Sequence, residues 1–179
     1  MNLPNILTIA RIVLIPIFMV LMFADFKFAP LWAAAFFGLA ALTDTFDGML
    51  ARKYNQVTTL GIILDPLADK LLVLAALVVL VELGSIPGWA VVIIIGREFA
   101  VMGLRVIKAD EGVIIPASYW GKIKTHIQVY SIILAILQPL IIKYVPYPIG
   151  YWAILLAMIV TVASGVDYFY QAYRPQANS

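Results

Sequence analysis

The sequence predicts an all-α integral membrane protein with six transmembrane helices. Hydrophobic residues make up 64% of the 179 residues and charged residues only 12%, whereas soluble domains carry about 45–50% apolar and about 25% charged residues. Six spans of roughly 20 residues each fit this length, and helices satisfy their backbone hydrogen bonds internally, as lipid requires. The chain contains no cysteine, which excludes a disulfide framework, an iron–sulfur site and a zinc–thiolate site.

The six predicted helices correspond to six apolar segments separated by turn-forming residues. The segments cover residues 6–23, 30–52, 60–81, 88–107, 120–142 and 149–170. Pro4 and Arg11 interrupt the apolar start, and no small-residue cleavage site follows. We therefore interpret this start as a first helix and not as a removed signal peptide. No long linker divides the chain, which predicts a single membrane domain over residues 1–179.

The distribution of basic residues predicts the orientation in the membrane. The connections after the first, third and fifth segments contain only Lys27 and Lys143. The opposite connections with the segment ends beside them, and the carboxyl terminus, contain Arg52, Lys53, Arg105, Lys108, Lys122, Lys124 and Arg174. Because basic residues collect on the cytoplasmic side, we expect a multi-pass protein of the cytoplasmic membrane with both termini in the cytoplasm.

Four aspartates flank the connection between the second and third segments. Asp44 and Asp47 are three residues apart near the end of one segment, and Asp65 and Asp69 are four apart near the start of the next. Each pair shares a helix face, and the short connection makes the two helices antiparallel neighbours. We therefore expect the four carboxylates to converge at the cytoplasmic side.

Four carboxylates at the edge of a low-dielectric region repel one another unless positive charge is bound between them. An all-oxygen ligand set suits Mg²⁺, Mn²⁺ or Ca²⁺ and not zinc or copper. Two such ions are the arrangement that stabilises the attacking and leaving oxygens of a phosphoryl displacement. Gly48 and Gly61 lie beside these aspartates, and they either allow close helix packing or allow a nucleotide base to approach the backbone.

The aspartates and glycines form part of a longer pattern, D-x2-D-G-x2-A-R-x8-G-x3-D-x3-D, over residues 44–69. Every fixed position is present, and the pattern resembles the signature of the CDP-alcohol phosphatidyltransferase family. The resemblance implies transfer of a phosphatidyl group from a CDP-linked lipid to a small alcohol, with CMP as the leaving group. It also implies a homodimer in a lipid membrane, with no nucleic-acid partner.

The same resemblance implies a role for each residue of the pattern. Asp44, Asp47, Asp65 and Asp69 would bind two divalent cations, Mg²⁺ or Mn²⁺, and Asp69 would also be the general base. The nucleotide would be bound by Gly48, Ala51, Arg52 and Gly61.

A second polar region lies in the fourth and fifth segments, where Arg97, Arg105, Lys122 and Lys124 occur. Arginine and lysine are the usual phosphate-binding residues, so these four could bind a phosphorylated acceptor. Alternatively, Arg97 pairs with Glu98 as a structural ion pair, and the lysines only mark the cytoplasmic side. Residues 2–11, 97–99, 103–105 and 117–125 resemble the branch of the family that makes phosphatidylglycerophosphate. That resemblance implies CDP-diacylglycerol as donor and sn-glycerol 3-phosphate as acceptor.

Three other hypotheses stay open at this point. The same chemistry could use inositol phosphate, serine or phosphatidylglycerol as acceptor. A divalent-cation transporter could use the aspartates as its translocation site, although the acidic residues are expected at one membrane face and no polar path continues outward. A non-catalytic membrane scaffold would have no use for the aspartate geometry. His126, the single histidine, is expected to be a packed, hydrogen-bonded residue.

Overall fold

The computed structural model describes the backbone of residues 3–54, 59–112 and 119–173. Side chains are described for the same ranges except residues 3–8, 44–54, 59–66, 69, 119 and 122. Within the described backbone there are six helices and no strands. The helices are α1 (Leu3–Phe23), α2 (Ala29–Tyr54), α3 (Thr59–Glu82), α4 (Gly88–Asp110), α5 (Tyr119–Ile141) and α6 (Ile149–Tyr173). The prediction of an all-α fold with six helices is confirmed for this part of the chain.

The six helices share one apolar core. Each contributes at least one side chain that is almost completely buried, and these include Phe18, Phe37, Leu77, Ile94, Ile132 and Ile154. The rings of Phe18 and Phe37 join α1 to α2 with their centroids 5.8 Å apart. Helix α6 packs against α5 and α4, while α2 and α3 pack against each other and against α5. The ends of α3, α4 and α5 are thereby brought to one side of the bundle.

Helices α5 and α6 approach each other closely where α6 begins. A Cβ atom added to Gly150 would lie 2.5 Å from the Cα atom of Ala135 and 2.9 Å from its backbone nitrogen. Only a glycine fits against backbone at that separation. Gln138 supports the same end of the pair, because its Oε1 accepts a 2.8 Å hydrogen bond from the Gly150 amide.

The turn between α3 and α4 is a Schellman motif. Gly84 has a φ of 68°, a left-handed conformation that is readily open only to glycine. The amide of Gly84 donates to the carbonyl of Val81, and the amide of Ser85 donates to the carbonyl of Leu80, both at 2.9 Å. These hydrogen bonds satisfy carbonyls that the end of α3 would otherwise leave open, and they begin the reversal into α4.

Much of the outer surface is apolar. All six helices carry large apolar side chains that are exposed in the isolated chain, among them Val20, Leu39, Val78, Val92, Tyr130 and Val166. Among the described residues, α6 is the one helix long and apolar enough to cross a membrane by length and composition, and shorter apolar stretches cover Ile9–Phe23 and Ala29–Thr43. That all six helices cross a membrane stays a prediction.

Candidate active site

The aspartate motif lies on two helices that pack against each other. Asp44 and Asp47 belong to α2, and Asp65 and Asp69 belong to α3. The backbone thus agrees with the expected antiparallel pair. The side chains of all eight motif positions lie outside the described ones, and so does that of Lys122. Among the side chains that are described, no group of three or more His, Asp or Glu residues could bind a metal ion.

Lys70, the residue after the motif, belongs to a cluster of four charged side chains. The other members are Arg97, Glu98 and Lys124, and we call the group the Glu98 cluster. Glu98 Oε2 lies 3.1 Å from Lys70 Nζ, and Glu98 Oε1 lies 3.0 Å from Arg97 NH1 and also contacts Lys124 Nζ. Among the described side chains, the cluster contains three cations and one carboxylate. Lys70 follows Asp69 in α3, so the cluster includes the residue next to the proposed base.

Burial makes the Glu98 cluster electrostatically strong. The side chains of Glu98 and Lys124 are only 10% and 6% exposed, and charges that are shielded from water interact through a lower effective dielectric constant. Buried charges are stable in such surroundings when they are paired and hydrogen-bonded. The carboxylate of Glu98 satisfies this condition for cations from three different helices.

Arg97 is also held by α6. Its NH2 group donates a 2.8 Å hydrogen bond to Ser164 Oγ, and Gly165 leaves the space that its aliphatic chain occupies. A Cβ atom at Gly165 would lie 2.9 Å from Arg97 Cγ and 3.2 Å from Arg97 Nε. The guanidinium group is therefore held in place, and its buried Nε–H donor has no hydrogen-bond partner among the described residues.

Arg105 lies two turns further along α4 and contacts the next turn of α6. Its Nε donates a 2.9 Å hydrogen bond to the hydroxyl of Tyr168, and NH2 contacts the same oxygen. The guanidinium carbon lies 4.9 Å from the centroid of the Tyr168 ring, which adds a cation–π interaction. Tyr168 is itself only 2% exposed, so it is a rigid support for Arg105.

A cavity of about 420 Å³ lies between α2, α3, α4 and α5. One part of its lining is charged or polar and includes Lys70, Glu98, Lys124, Thr125, His126 and Gln128. The remainder is largely apolar and includes Leu42, Val73, Ile94, Ile95, Val129 and Ile133. A cavity with a cationic part and an apolar part suits a ligand that is itself amphiphilic and anionic.

The structure therefore brings together part of the predicted acceptor site. Arg97 and Lys124 both contact the Glu98 carboxylate. Arg105 lies on the same helix as Arg97 and is held by Tyr168. The Arg97–Glu98 ion pair, which the sequence offered as the alternative to ligand binding, is present; whether the cations also bind a phosphate is a separate question. The sequence analysis did not identify Ser164 and Tyr168, because the sequence does not indicate which faces of α4 and α6 contact each other.

His126 differs from the expectation stated above. It is exposed and lines the cavity, so the prediction of a packed residue is wrong. Its neighbours Lys124 and Gln128 are buried, and the side of α5 that carries them faces the bundle. Residues two apart on a helix point in nearly opposite directions, so the His126 side chain points away from those of Lys124 and Gln128.

An all-helical bundle with a largely apolar outer surface is typical of helical membrane proteins. The family model for CDP-alcohol phosphatidyltransferase matches residues 1–163. The chain belongs to the CDP-alcohol phosphatidyltransferase family.

Curated relatives match nearly the whole chain. The chain is 46% identical to the CDP-diacylglycerol–glycerol-3-phosphate 3-phosphatidyltransferase of Bacillus subtilis, over 94% of this chain and 93% of the relative. It is 41% identical to a probable phosphatidylglycerophosphate synthase of Mycobacterium tuberculosis, over 97% of this chain and 82% of the relative. A relative from Rickettsia typhi carries the same name as the B. subtilis enzyme. It is 39% identical, over 94% of this chain and 95% of the relative.

Proposed function

We propose that this protein transfers the phosphatidyl group of CDP-diacylglycerol to sn-glycerol 3-phosphate, which yields phosphatidylglycerophosphate and CMP. The names of the relatives support this reaction, since relatives from three bacterial genera carry them over nearly full length. The observation that carries the proposal is the Glu98 cluster, because Lys70, Glu98 and Lys124 line a cavity that is bounded in part by α2 and α3, the two helices that bear the aspartates.

The charge of the Glu98 cluster favours a phosphorylated acceptor. A phosphate monoester carries about −1.5 to −2 charges near pH 7, and several closely spaced cations favour such an anion. Glycerol is neutral and serine has no net charge at that pH, so neither compensates the cluster. We assign Arg97, Arg105, Lys122 and Lys124 to the acceptor phosphate, and the apolar part of the cavity is compatible with the lipid chains of the donor.

We assign the aspartate motif to metal and nucleotide binding. Asp44, Asp47, Asp65 and Asp69 offer the hard carboxylate oxygens that Mg²⁺ and Mn²⁺ prefer, so the donor set fits two divalent cations. Bound there, such cations would neutralise phosphate charge and make a hydroxyl more acidic. Gly48, Ala51, Arg52 and Gly61 would bind the nucleotide.

Asp69 is the proposed general base for the transfer. The acceptor hydroxyl loses its proton to the Asp69 carboxylate as its oxygen bonds to the phosphorus atom next to diacylglycerol. The bond from that phosphorus to the bridging oxygen breaks, and CMP leaves with the electron pair. Lys70 follows Asp69 in the chain, and a phosphate bound at the Glu98 cluster would therefore anchor the acceptor close to its base.

We further propose the membrane arrangement. All six helices would cross the cytoplasmic membrane, with both termini and the active site in the cytoplasm, and residues 1–179 would form one domain that assembles as a homodimer. The exposed apolar side chains on every helix support contact with lipid, because soluble monomers rarely expose large continuous apolar patches. The basic residues support the orientation.

The test is CMP release by the purified protein in detergent or liposomes, supplied with CDP-diacylglycerol and one acceptor at a time. We expect rapid release with glycerol 3-phosphate and at least about 100-fold less with glycerol, because charge-assisted hydrogen bonds each contribute about 1.5–3 kcal/mol. Comparable turnover with serine, inositol phosphate or phosphatidylglycerol would refute the assignment of glycerol 3-phosphate as the acceptor. Absence of CMP release with any of these acceptors, together with divalent-cation flux into liposomes, would instead support a transporter.

A further inference from the structure

Glu98 is the one described carboxylate that contacts all three cations of the Glu98 cluster. It reaches Lys70 on α3 through Oε2, and its Oε1 reaches both its own neighbour Arg97 and Lys124 on α5. Such a carboxylate connects three helices at a single point. Other described acidic residues are placed differently; Glu111, for example, pairs with Lys108 at 2.6 Å and is half exposed.

The three cations depend on Glu98 for their arrangement. Like charges repel, and the repulsion is strong where water is excluded. Removing one partner from a buried ion pair is more harmful than never having built the pair, because the remaining charges lose their compensation. Without the Glu98 carboxylate, Lys70 and Lys124 would turn away from Arg97.

We propose that Glu98 is a positioning residue for the acceptor, and that Lys70 is an additional contact of the acceptor phosphate. The Glu98 carboxylate holds Lys70, Arg97 and Lys124 close together, and Lys70 and Lys124 line the cavity. This inference rests on the proposed function and goes beyond it, because it assigns roles to two residues outside the four cations already assigned to the acceptor phosphate.

The experiment compares Glu98→Gln with wild type in titrations of both substrates. Gln preserves the size of the side chain and removes the charge. We expect the KM for glycerol 3-phosphate to rise about tenfold or more, since displacements of about 1 Å at a positioning group cost up to about 100-fold. The KM for CDP-diacylglycerol should change less than about threefold. The matched control is Glu111→Gln, which removes a carboxylate from an exposed ion pair near the end of α4 and should leave both values unchanged.

A double-mutant cycle with Lys70→Gln gives a second, independent measurement. Because the two residues act through one ion pair, the double variant should raise the KM for glycerol 3-phosphate by much less than the product of the two single effects. It also removes both charges of the Lys70–Glu98 ion pair together, so it can be compared with Lys70→Gln alone if Glu98→Gln does not fold.

Two results would overturn the positioning role. One is a Glu98→Gln variant whose two KM values are unchanged or rise equally, and the other is a double variant whose effect equals the product of the single effects. Failure of the proposed function is a different observation: wild type would then release CMP with an acceptor other than glycerol 3-phosphate.

Discussion

The space at Gly165 gives a way to move Arg97 without altering any charge. In Gly165→Ala the new Cβ would lie 2.9 Å from Arg97 Cγ, 3.2 Å from Nε and 3.6 Å from Cδ. Carbon atoms are in optimal contact at about 3.5–4.0 Å, so Cγ must withdraw by roughly 0.6 Å or more. The far end of the side chain cannot follow freely, because it is bound to Glu98 at 3.0 Å and to Ser164 at 2.8 Å.

This displacement should affect the acceptor more than the donor. A group displaced by about 1 Å can lose up to about 100-fold in efficiency, and we expect the KM for glycerol 3-phosphate to rise about 10- to 100-fold in Gly165→Ala. The KM for CDP-diacylglycerol should stay within about threefold of wild type. Steady-state CMP release, with each substrate varied in turn, measures both values.

The matched control is Gly96→Ala. Gly96 precedes Arg97 in α4, and a Cβ atom there would meet no atom within 4 Å. The control makes the same chemical change next to the same arginine, without the collision, and should have wild-type kinetics. A Gly165→Ala enzyme with a normal KM for glycerol 3-phosphate would refute the assignment of Arg97 to the acceptor. An equal rise in both KM values would indicate a general structural effect.

Four further outcomes are expected. Chelation should abolish CMP release, and roughly millimolar Mg²⁺ or Mn²⁺ should restore it, because hard carboxylate oxygens bind these ions. Asp69→Asn should abolish turnover and leave measurable binding of the CDP-lipid in calorimetry, because an amide cannot accept the proton. Tyr168→Phe keeps the ring beside Arg105 and removes the hydroxyl, so the KM for glycerol 3-phosphate should rise about tenfold, as the loss of one charge-assisted hydrogen bond predicts. Gly150→Ala brings a methyl group against the backbone of Ala135 and should lower the free energy of unfolding by about 1–3 kcal/mol in denaturant titrations.

Each of these has a result that contradicts it. Full activity in excess chelator would exclude the two-cation site, and wild-type turnover of Asp69→Asn would remove that residue from the role of base. A Tyr168→Phe enzyme with unchanged kinetics would contradict the assignment of Arg105 to the acceptor phosphate. A Gly150→Ala protein as stable as wild type would mean that α5 and α6 can move apart at that point without loss.

The helices could be predicted from the sequence because lipid solvation places a strong constraint on composition. The predicted segments 30–52 and 60–81 coincide with α2 and α3 except at their ends, where the helices extend to Tyr54 and begin at Thr59. Those ends are uncertain from sequence because polar residues outside lipid continue a helix as readily as they end it.

The acceptor site could be predicted only in part. The cations of α4 and α5 are recognisable, because charged residues in apolar segments are costly and need a reason. Their supports are not recognisable, because Ser164 and Tyr168 lie more than 60 residues along the chain from the arginines that they bind. Adjacent residues of a helix point in different directions, which argued against the Arg97–Glu98 pair. The pair forms nevertheless, since the two long side chains bend towards each other.

The close approach of Gly150 to Ala135 has a mechanical consequence for the support of Arg97. It joins α5 and α6 near one end of the pair, whereas Ser164, which binds Arg97, lies further along α6. From Gly150 to Ser164 the helix rises by about 21 Å, at about 1.5 Å per residue. A rotation of α6 by about 5° around the joined end would therefore displace Ser164 by about 2 Å, so the angle between α5 and α6 determines where Arg97 is held.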